Sequence, residues 1–405
     1  MLDIFSDDVR RNPYPIYDQL RSTTPVLRVP PPFDAWLIVD YEGVKRALHD
    51  HDAFSSAVPA PRHWFIFSDP PLHTKMRALI AKAFTPSTVT NLEPRIRELS
   101  RDLLNAAINA RDEFDLAQDY AVPLPMKVIS EMIGIPPADW NLFHRWSDTI
   151  LKLSYTRRGD ANAQQAVAEF TAVAAEMNDY ITHMIAARRA DPRDDLLTRL
   201  IHAEVDGETL TQPEILGFFQ LLLVGGQETT ANLINNAILS FLEHPDQLAL
   251  VRNDLQLLPA AIEEVLRHRA PIQWIMRTPK RDVEMSGQTI PAGKLVLAVI
   301  GSANRDPKAF PNADQFDITR YQKARGSNPS QNTNAHLTFG HGIHFCLGAP
   351  LARMETKIAL TDLLTKFKHL SRTTNDPWPP RQALHVHGPS QLPLRFELAR
   401  PAARA

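Results

Sequence analysis

The stretch Phe339-Gly340-His341-Gly342-Ile343-His344-Phe345-Cys346-Leu347-Gly348 decides how the rest of the chain is read, because it holds the only cysteine in 405 residues and sets three glycines around it. With no second cysteine to pair with, Cys346 is either a small buried thiol or a thiolate with a chemical role. Gly340, Gly342 and Gly348 point to backbone conformations or close approaches that a side chain would forbid. Directly afterwards, Leu351, Met354, Ile358, Leu360, Leu363 and Leu364 recur near helical spacing, with Pro350 in a first turn, so the spacing predicts a helix over 349–366. Cys346 therefore lies at a helix N-terminus. Free N–H groups and the helix dipole there favour an anion, as a nucleophile or a metal ligand requires.

Composition narrows the class. The chain is 44% hydrophobic and 22% charged, with a formal net charge of −2, so it has ample core-forming material and no electrostatic reason to bind nucleic acid. The first twenty residues lack an apolar run of signal-peptide length, and no window approaches the roughly 18 apolar residues of a membrane span. A cytoplasmic protein that does not depend on disulfides is expected.

Along the chain, residues 35–39 read as a strand and 41–49 as a short helix, among prolines that interrupt the first 60 residues. Long helices follow over 73–84, from Pro86 through Leu104 and Ile108, and over 122–133, 138–153, 163–189 and 195–203. The longest candidate runs from 211 to 243, with Thr211 as N-cap and Pro213 in its first turn. Helices over 245–253 and 258–269 come next, then strands at 272–277, 282–285, 288–290 and 295–300. Neither a repeat nor a dividing linker stands out, so one domain over 1–405 is expected: mainly α, with β-rich regions at the N-terminus and near 270–300 and 380–400.

Inside the longest helix sits Gly225-Gly226-Gln227-Glu228-Thr229. Two glycines in a helix interior cost about 1 kcal/mol each relative to alanine. Close helix packing and a groove where a ligand meets the backbone are both open readings. Glu228 beside Thr229 places an acid and an alcohol at such a groove, a pair suited to proton delivery. Glu264 and Arg267 share a helix face at i, i+3; on spacing alone they read as a solvated ion pair.

Taken together these motifs resemble the cytochrome P450 family, the haem-thiolate monooxygenases, in its soluble bacterial type. Phe339, Gly342, Cys346 and Gly348 match the family's Phe-x-x-Gly-x-x-x-Cys-x-Gly; Glu264 and Arg267 match Glu-x-x-Arg; Gly225, Gly226, Glu228 and Thr229 match its Ala/Gly-Gly-x-Asp/Glu-Thr segment; and Arg320 closes a Phe-Asp-x-x-Arg segment. The resemblance implies haem b between the long central helix and the helix after the cysteine loop, with Cys346 as the iron ligand. It implies haem-carboxylate partners in His73, Arg77, Arg277 and His344, oxygen activation by Thr229 and Glu228 beside Gly225 and Gly226, and a buried Glu264-Arg267-Arg320 cluster. Gly225 stands where many relatives carry alanine. Peroxide-driven members lack the acid and alcohol, so Glu228 and Thr229 imply use of O2, with electrons from a separate ferredoxin and ferredoxin reductase. Lys75, Lys82, Arg353 and Lys357 are candidate docking cations. A monomer is expected.

Regions matching the family's substrate contacts are 58–67, 150–153, 218–226, 272–276 and 388–392. They offer Trp64, Phe65, Ile66, Phe67, Leu222, Trp274 and Ile275, which suit an apolar, medium-to-large substrate such as a terpenoid, steroid, fatty acid or macrocycle, with Arg62, His63 and Gln273 able to orient a polar end. Two competing readings are a structural zinc site on His341, His344 and Cys346 in a non-catalytic protein, and a haem-thiolate gas sensor. Neither explains the acid and alcohol.

Overall fold

Caps and prolines set where the helices start and stop. The computed structural model describes residues 6–30, 34–57, 64–109, 112–155, 161–322 and 335–399. Asp40 caps the helix Tyr41–His49 by accepting the Gly43 N–H. Gly134, at φ 93°, ends the helix Pro123–Ile133 in the left-handed conformation that glycine adopts without strain. The periodic segments form helices at Leu72–Ala83, Trp140–Tyr155, Ala161–Ala190, Leu196–Ile201, Pro245–Asn253, Leu258–His268 and Ala349–Lys366.

Two expected helices are each broken in two. The segment from Pro86 divides into Pro86–Asn91 and Glu93–Ala107. Pro94 lacks the N–H to continue the first ladder, but it fits the first turn of the second helix. The segment 211–243 divides into Gln212–Gly225 and Gln227–Glu243 at Gly226. Its start is as read: Thr211 accepts the Glu214 N–H, and Glu214 accepts the Thr211 N–H at 2.8 Å, a reciprocal capping box.

The strands draw distant parts of the chain together. A five-stranded sheet runs in the order 26–29, 35–38, 295–298, 275–279, 54–55, with only the 35–38/295–298 pair parallel. Residues 367–372, 393–398 and 113–115 form a three-stranded antiparallel sheet. One apolar core lies among the helices and a second lies under the five-stranded sheet. At the centre is Gln227–Glu243, buried at every residue from Thr230 to Phe241 and packed on Ala349–Lys366, Leu258–His268 and Pro123–Ile133. Among the described residues no helix is long and apolar enough to cross a membrane.

The helix carrying Glu264 is tied to the turns that precede the cysteine stretch. Arg267 donates to Glu264 through Nε (2.8 Å) and Nη2 (2.7 Å), and to the carbonyls of Asn304, Ala313 and Gln315. Arg320 reaches the same carboxylate at 3.2 Å. Both Glu264 and Arg267 are fully buried, which overturns the solvated-pair reading that spacing alone favours. A buried pair loses far more when one partner is removed than a surface pair does, because the survivor is left charged in an apolar interior. Arg267→Met is expected to lower the unfolding free energy by about 3–5 kcal/mol, while Lys368→Met, which removes an exposed pair with Glu397, leaves the denaturant midpoint nearly unchanged; equal small losses would show that the cluster carries no structure.

Candidate active site

The motifs at 225–233 and 339–355, remote in sequence, line one cavity of about 310 Å³. Gly225, Gly226, Thr229, Thr230 and Leu233 form one wall; Phe339, His344, Cys346, Gly348, Leu351 and Glu355 form the other. The two glycines of the split helix serve different ends. A Cβ on Gly226 would lie 2.1 Å from the Ile129 side chain, so this glycine lets two helices touch. A Cβ on Gly225 would meet only Leu221, at 3.9 Å, so this one opens the backbone to the cavity. The packing reading and the groove reading each hold at one position.

On the facing wall, Gly342 adopts φ 73°, and a Cβ there would come within 3.0 Å of the His49 backbone. The turn it permits lets Cys346 N–H donate to the Phe339 carbonyl at 2.8 Å and brings the sulfur to the start of Ala349–Lys366. Cys346 is enclosed by the fold yet open to the cavity. Burial pushes its thiol pKa up; the N–H groups of Gly348 and Ala349, with Arg77 and Arg353, pull it back without winning. The helix N-terminus thus favours the thiolate, as the sequence suggests, but does not by itself produce it. A bound cation would complete the balance.

Beside the sulfur lies a set of hydrogen-bonding groups whose needs the protein does not meet. The His73 and His344 rings lie with centroids 4.1 Å apart, tilted by 50°, and the Nε2 atom of each is buried without a partner. Burial, with the Arg77 charge adding to it, lowers His73 to about 4; burial, with His73 and then Arg277 adding to it, lowers His344 to about 3, so both rings are neutral at pH 7. Arg277 is buried too, its pKa lowered to about 10, and Arg77 lines the cavity while donating to the Phe345 carbonyl at 2.6 Å. Two guanidiniums and two unpartnered imidazoles are the donors that a pair of carboxylates on a flat apolar cofactor would need. The residues present fit haem.

Thr229 donates its hydroxyl to the Gly225 carbonyl at 2.7 Å and lines the cavity. Glu228, one residue earlier on the helix, does not line it: it is buried, and its Oε1 has no partner. Burial raises its pKa to about 7, with Arg381 opposing and Asp148 adding to the rise.

Of the expected substrate contacts, Phe65, Ile66, Leu222 and Ile275 line the cavity, and Trp64, Phe67 and Trp274 do not. Trp64 donates to Gln220 at 3.1 Å and stacks on Phe67. Trp274 and Gln273 border a separate hollow against the N-terminal helices. Arg62 and His63 lie outside the described residues. Ile129 and Met132 line the cavity but are invisible in sequence, since their i, i+3 spacing reads as ordinary core. Nor do three of the candidate docking cations stand free: Lys75 pairs with Glu208, Lys82 donates to the Glu204 carbonyl, and Arg353 holds Glu263 with two bonds and lies 4.4 Å from the Phe339 ring. The zinc reading fails on geometry, because among the described residues no three His, Cys, Asp or Glu side chains converge.

Glu355 has no sequence signal at all. It is 1% exposed, lines the cavity, and leaves Oε2 without a partner, so burial raises its pKa to about 8. A carboxyl that holds its proton to a higher pH in the folded state than in the unfolded one stabilises the fold at low pH and loses that contribution as pH rises through the folded value. Between about pH 5 and pH 8 the wild type should therefore lose stability that Glu355→Gln keeps, by an amount on the order of a few kcal/mol. Thermal midpoints of both proteins across that range test this, and a difference independent of pH would contradict it.

A family model described as cytochrome P450 matches residues 8–395. The cytochrome P450 monooxygenase PikC of Streptomyces venezuelae is 38% identical, over 100% of this chain and 95% of its own length. The 6-deoxyerythronolide B hydroxylase of Saccharopolyspora erythraea is 35% identical over 98% of both chains. The crystal structure of CYP109E1 from Bacillus megaterium in complex with corticosterone superposes with a TM-score of 0.85 at 34% identity, covering 96% of this chain and 99% of that one.

Proposed function

Because the chain belongs to the cytochrome P450 family, and so is a haem b-binding monooxygenase with the family's fold, we propose that it hydroxylates an apolar, medium-to-large molecule with O2 and two electrons delivered by separate proteins. The observation that carries this reading is the cavity with Cys346 on one wall and Gly225 and Thr229 on the other. The balance is one substrate C–H, one O2, two electrons and two protons giving one alcohol and one water. When bound, haem b supplies the activation of O2 that lets one oxygen atom enter the C–H bond.

The chain's own residues do the rest. Cys346 offers its sulfur as the metal ligand, with the Gly348 and Ala349 N–H groups bonded to it and tuning its donation. His73, Arg77, Arg277 and His344 would hold the haem carboxylates, and Phe339, beneath the Arg353 guanidinium, would screen the sulfur side from water. Thr229 donates its hydroxyl proton to the Gly225 carbonyl and keeps its lone pairs open to accept a hydrogen bond in the cavity, so turning the hydroxyl away from Gly225 lets it hand a proton on. Glu228 keeps its proton up to about pH 7 because ionising it where it is buried is costly.

Substrate class follows from the lining. Phe65, Ile66, Phe218, Leu222 and Ile275 give an apolar surface with few polar groups, and one relative acts on 6-deoxyerythronolide B while one structural neighbour holds corticosterone. A steroid or macrocycle fits best. The electron donors are a ferredoxin and its reductase, meeting a monomeric, cytoplasmic enzyme that works as one unit over its whole length. Gas sensing without turnover leaves Glu228 and Thr229 with nothing to do.

Thr229→Ala is expected to cut product formed per electron pair severalfold while oxygen consumption continues; full coupling would contradict the relay. Glu228 carries its proton below about pH 7 and loses it above, so coupling should decline as pH rises through that value, and Glu228→Gln should flatten the profile. A library of steroids, macrolides, terpenoids and fatty acids screened by the Soret shift on displacing water from ferric iron should give hits among large apolar compounds. Hits confined to small polar acids would overturn the substrate class.

A further inference from the structure

The central helix carries more buried polarity than a core helix needs. Glu228, Asn232 and Asn236 recur every four residues, so they form one stripe along Gln227–Glu243, and all three are buried. The segment at 380–388 lies along this stripe. Arg381 donates through Nε to Asn232 Oδ1 at 3.3 Å, and Asn236 Nδ2 donates to the carbonyls of His387 (2.9 Å) and Arg269 (3.1 Å). Gly388 comes so near that a Cβ on it would lie 2.5 Å from Asn232 Oδ1.

Between the two elements, polar atoms are left over along the whole length of the stripe. Glu228 Oε1, Arg381 Nη2, Asn232 Nδ2, Asn236 Oδ1, His387 Nδ1, and Arg269 Nε and Nη1 are all buried without a protein partner. Buried polar atoms in folded proteins are satisfied, and where protein does not do so, ordered water does, each molecule typically joining about three such groups. The seam has an outlet: Arg269 pairs through Nη2 with Glu243, whose side chain is 45% exposed.

We propose that this seam carries a file of ordered water from the Glu228 carboxyl to the surface at Glu243, that protons reach Glu228 along it, and that Arg381, itself held by Asn232, is the positioning residue that keeps Glu228 turned to the seam. The proposal rests on the reading of Glu228 as the group that holds a proton for the cavity. Two charges face Glu228: Arg381 from the 380–388 segment, and Asp148 from Trp140–Tyr155. Asp148 is 52% exposed, and so marks a rival exit.

Hydrogen–deuterium exchange at Glu228 tests the route without turnover. On the haem-loaded enzyme, the carboxyl stretch of Glu228 is isolated as the infrared difference from Glu228→Gln, and its isotope shift is timed after mixing into D2O. Asn236→Leu, which plugs the seam midway, is expected to slow the exchange at least tenfold; Asn236→Ser, which keeps it polar, should exchange at nearly the native rate. Asn232→Leu is the second block if Asn236→Leu does not fold. Arg381→Leu should move the frequency of the stretch as well as its exchange rate. Native exchange in the blocked variants, or slowing by Asp148→Asn alone, overturns the proposal. If instead Glu228→Gln leaves coupling untouched, the role of Glu228 in turnover falls, while the exchange rates still decide whether the seam conducts.

Discussion

Everything in the site turns on a sulfur that has to be an anion in a place that penalises anions. Cys346 is closed in by the fold, and burial pushes its thiol towards the neutral form. Two helix N–H groups and Arg77 oppose that push without overcoming it. A ligand thiolate must be electron-rich to activate what its metal binds, and it must stay shielded from water and oxidants to survive. The compromise is a thiol held short of ionisation until a metal cation arrives. The same logic governs the donors beside it, where His73 and His344 keep buried ring nitrogens free and Arg277 is held in a buried place that disfavours its charge. These are costs to the protein alone that haem would offset in the proposed reading.

Rigidity elsewhere lets those costs be borne. The fully buried Glu264–Arg267 pair, with Arg320, anchors the turns at 304–317 to the helix Leu258–His268. The same helix presents Glu263 to His336 and Arg353, which flank the cysteine stretch. The loop that places the sulfur is thereby fixed from two sides. Opposite it, the break at Gly226 brings Gly225 to the cavity edge and turns Thr229 towards the reacting space, while Glu228 faces away into the interior. Acid and alcohol are neighbours in sequence but serve different sides of the helix.

Much of this was legible in the chain, and the gaps have physical causes. Helices with local start signals, such as the Thr211 cap and the proline after Cys346, could be placed closely because those signals act within one turn. Breaks were harder to see. Pro94 can open a helix or interrupt one, and the need for glycine at 226 comes from Ile129, nearly a hundred residues earlier, whose side chain leaves no room there for a Cβ. Trp274 shows the limit of position in sequence as a guide: it borders the hollow under the N-terminal helices, a place set by sheet pairing between 275–279 and 295–298. Glu355 and the Asn232–Asn236 stripe left no trace at all, since only the packing of remote segments reveals that a polar side chain has no partner.

The central claim is that Cys346 ligates haem iron as a thiolate, and the reduced, carbon monoxide-bound spectrum reads that ligation directly. The wild type should show the strongly red-shifted Soret band of thiolate-ligated haem, and Cys346→His should move it to the shorter wavelength of imidazole ligation. A wild-type band without the red shift, or one that survives in Cys346→His, would contradict the account.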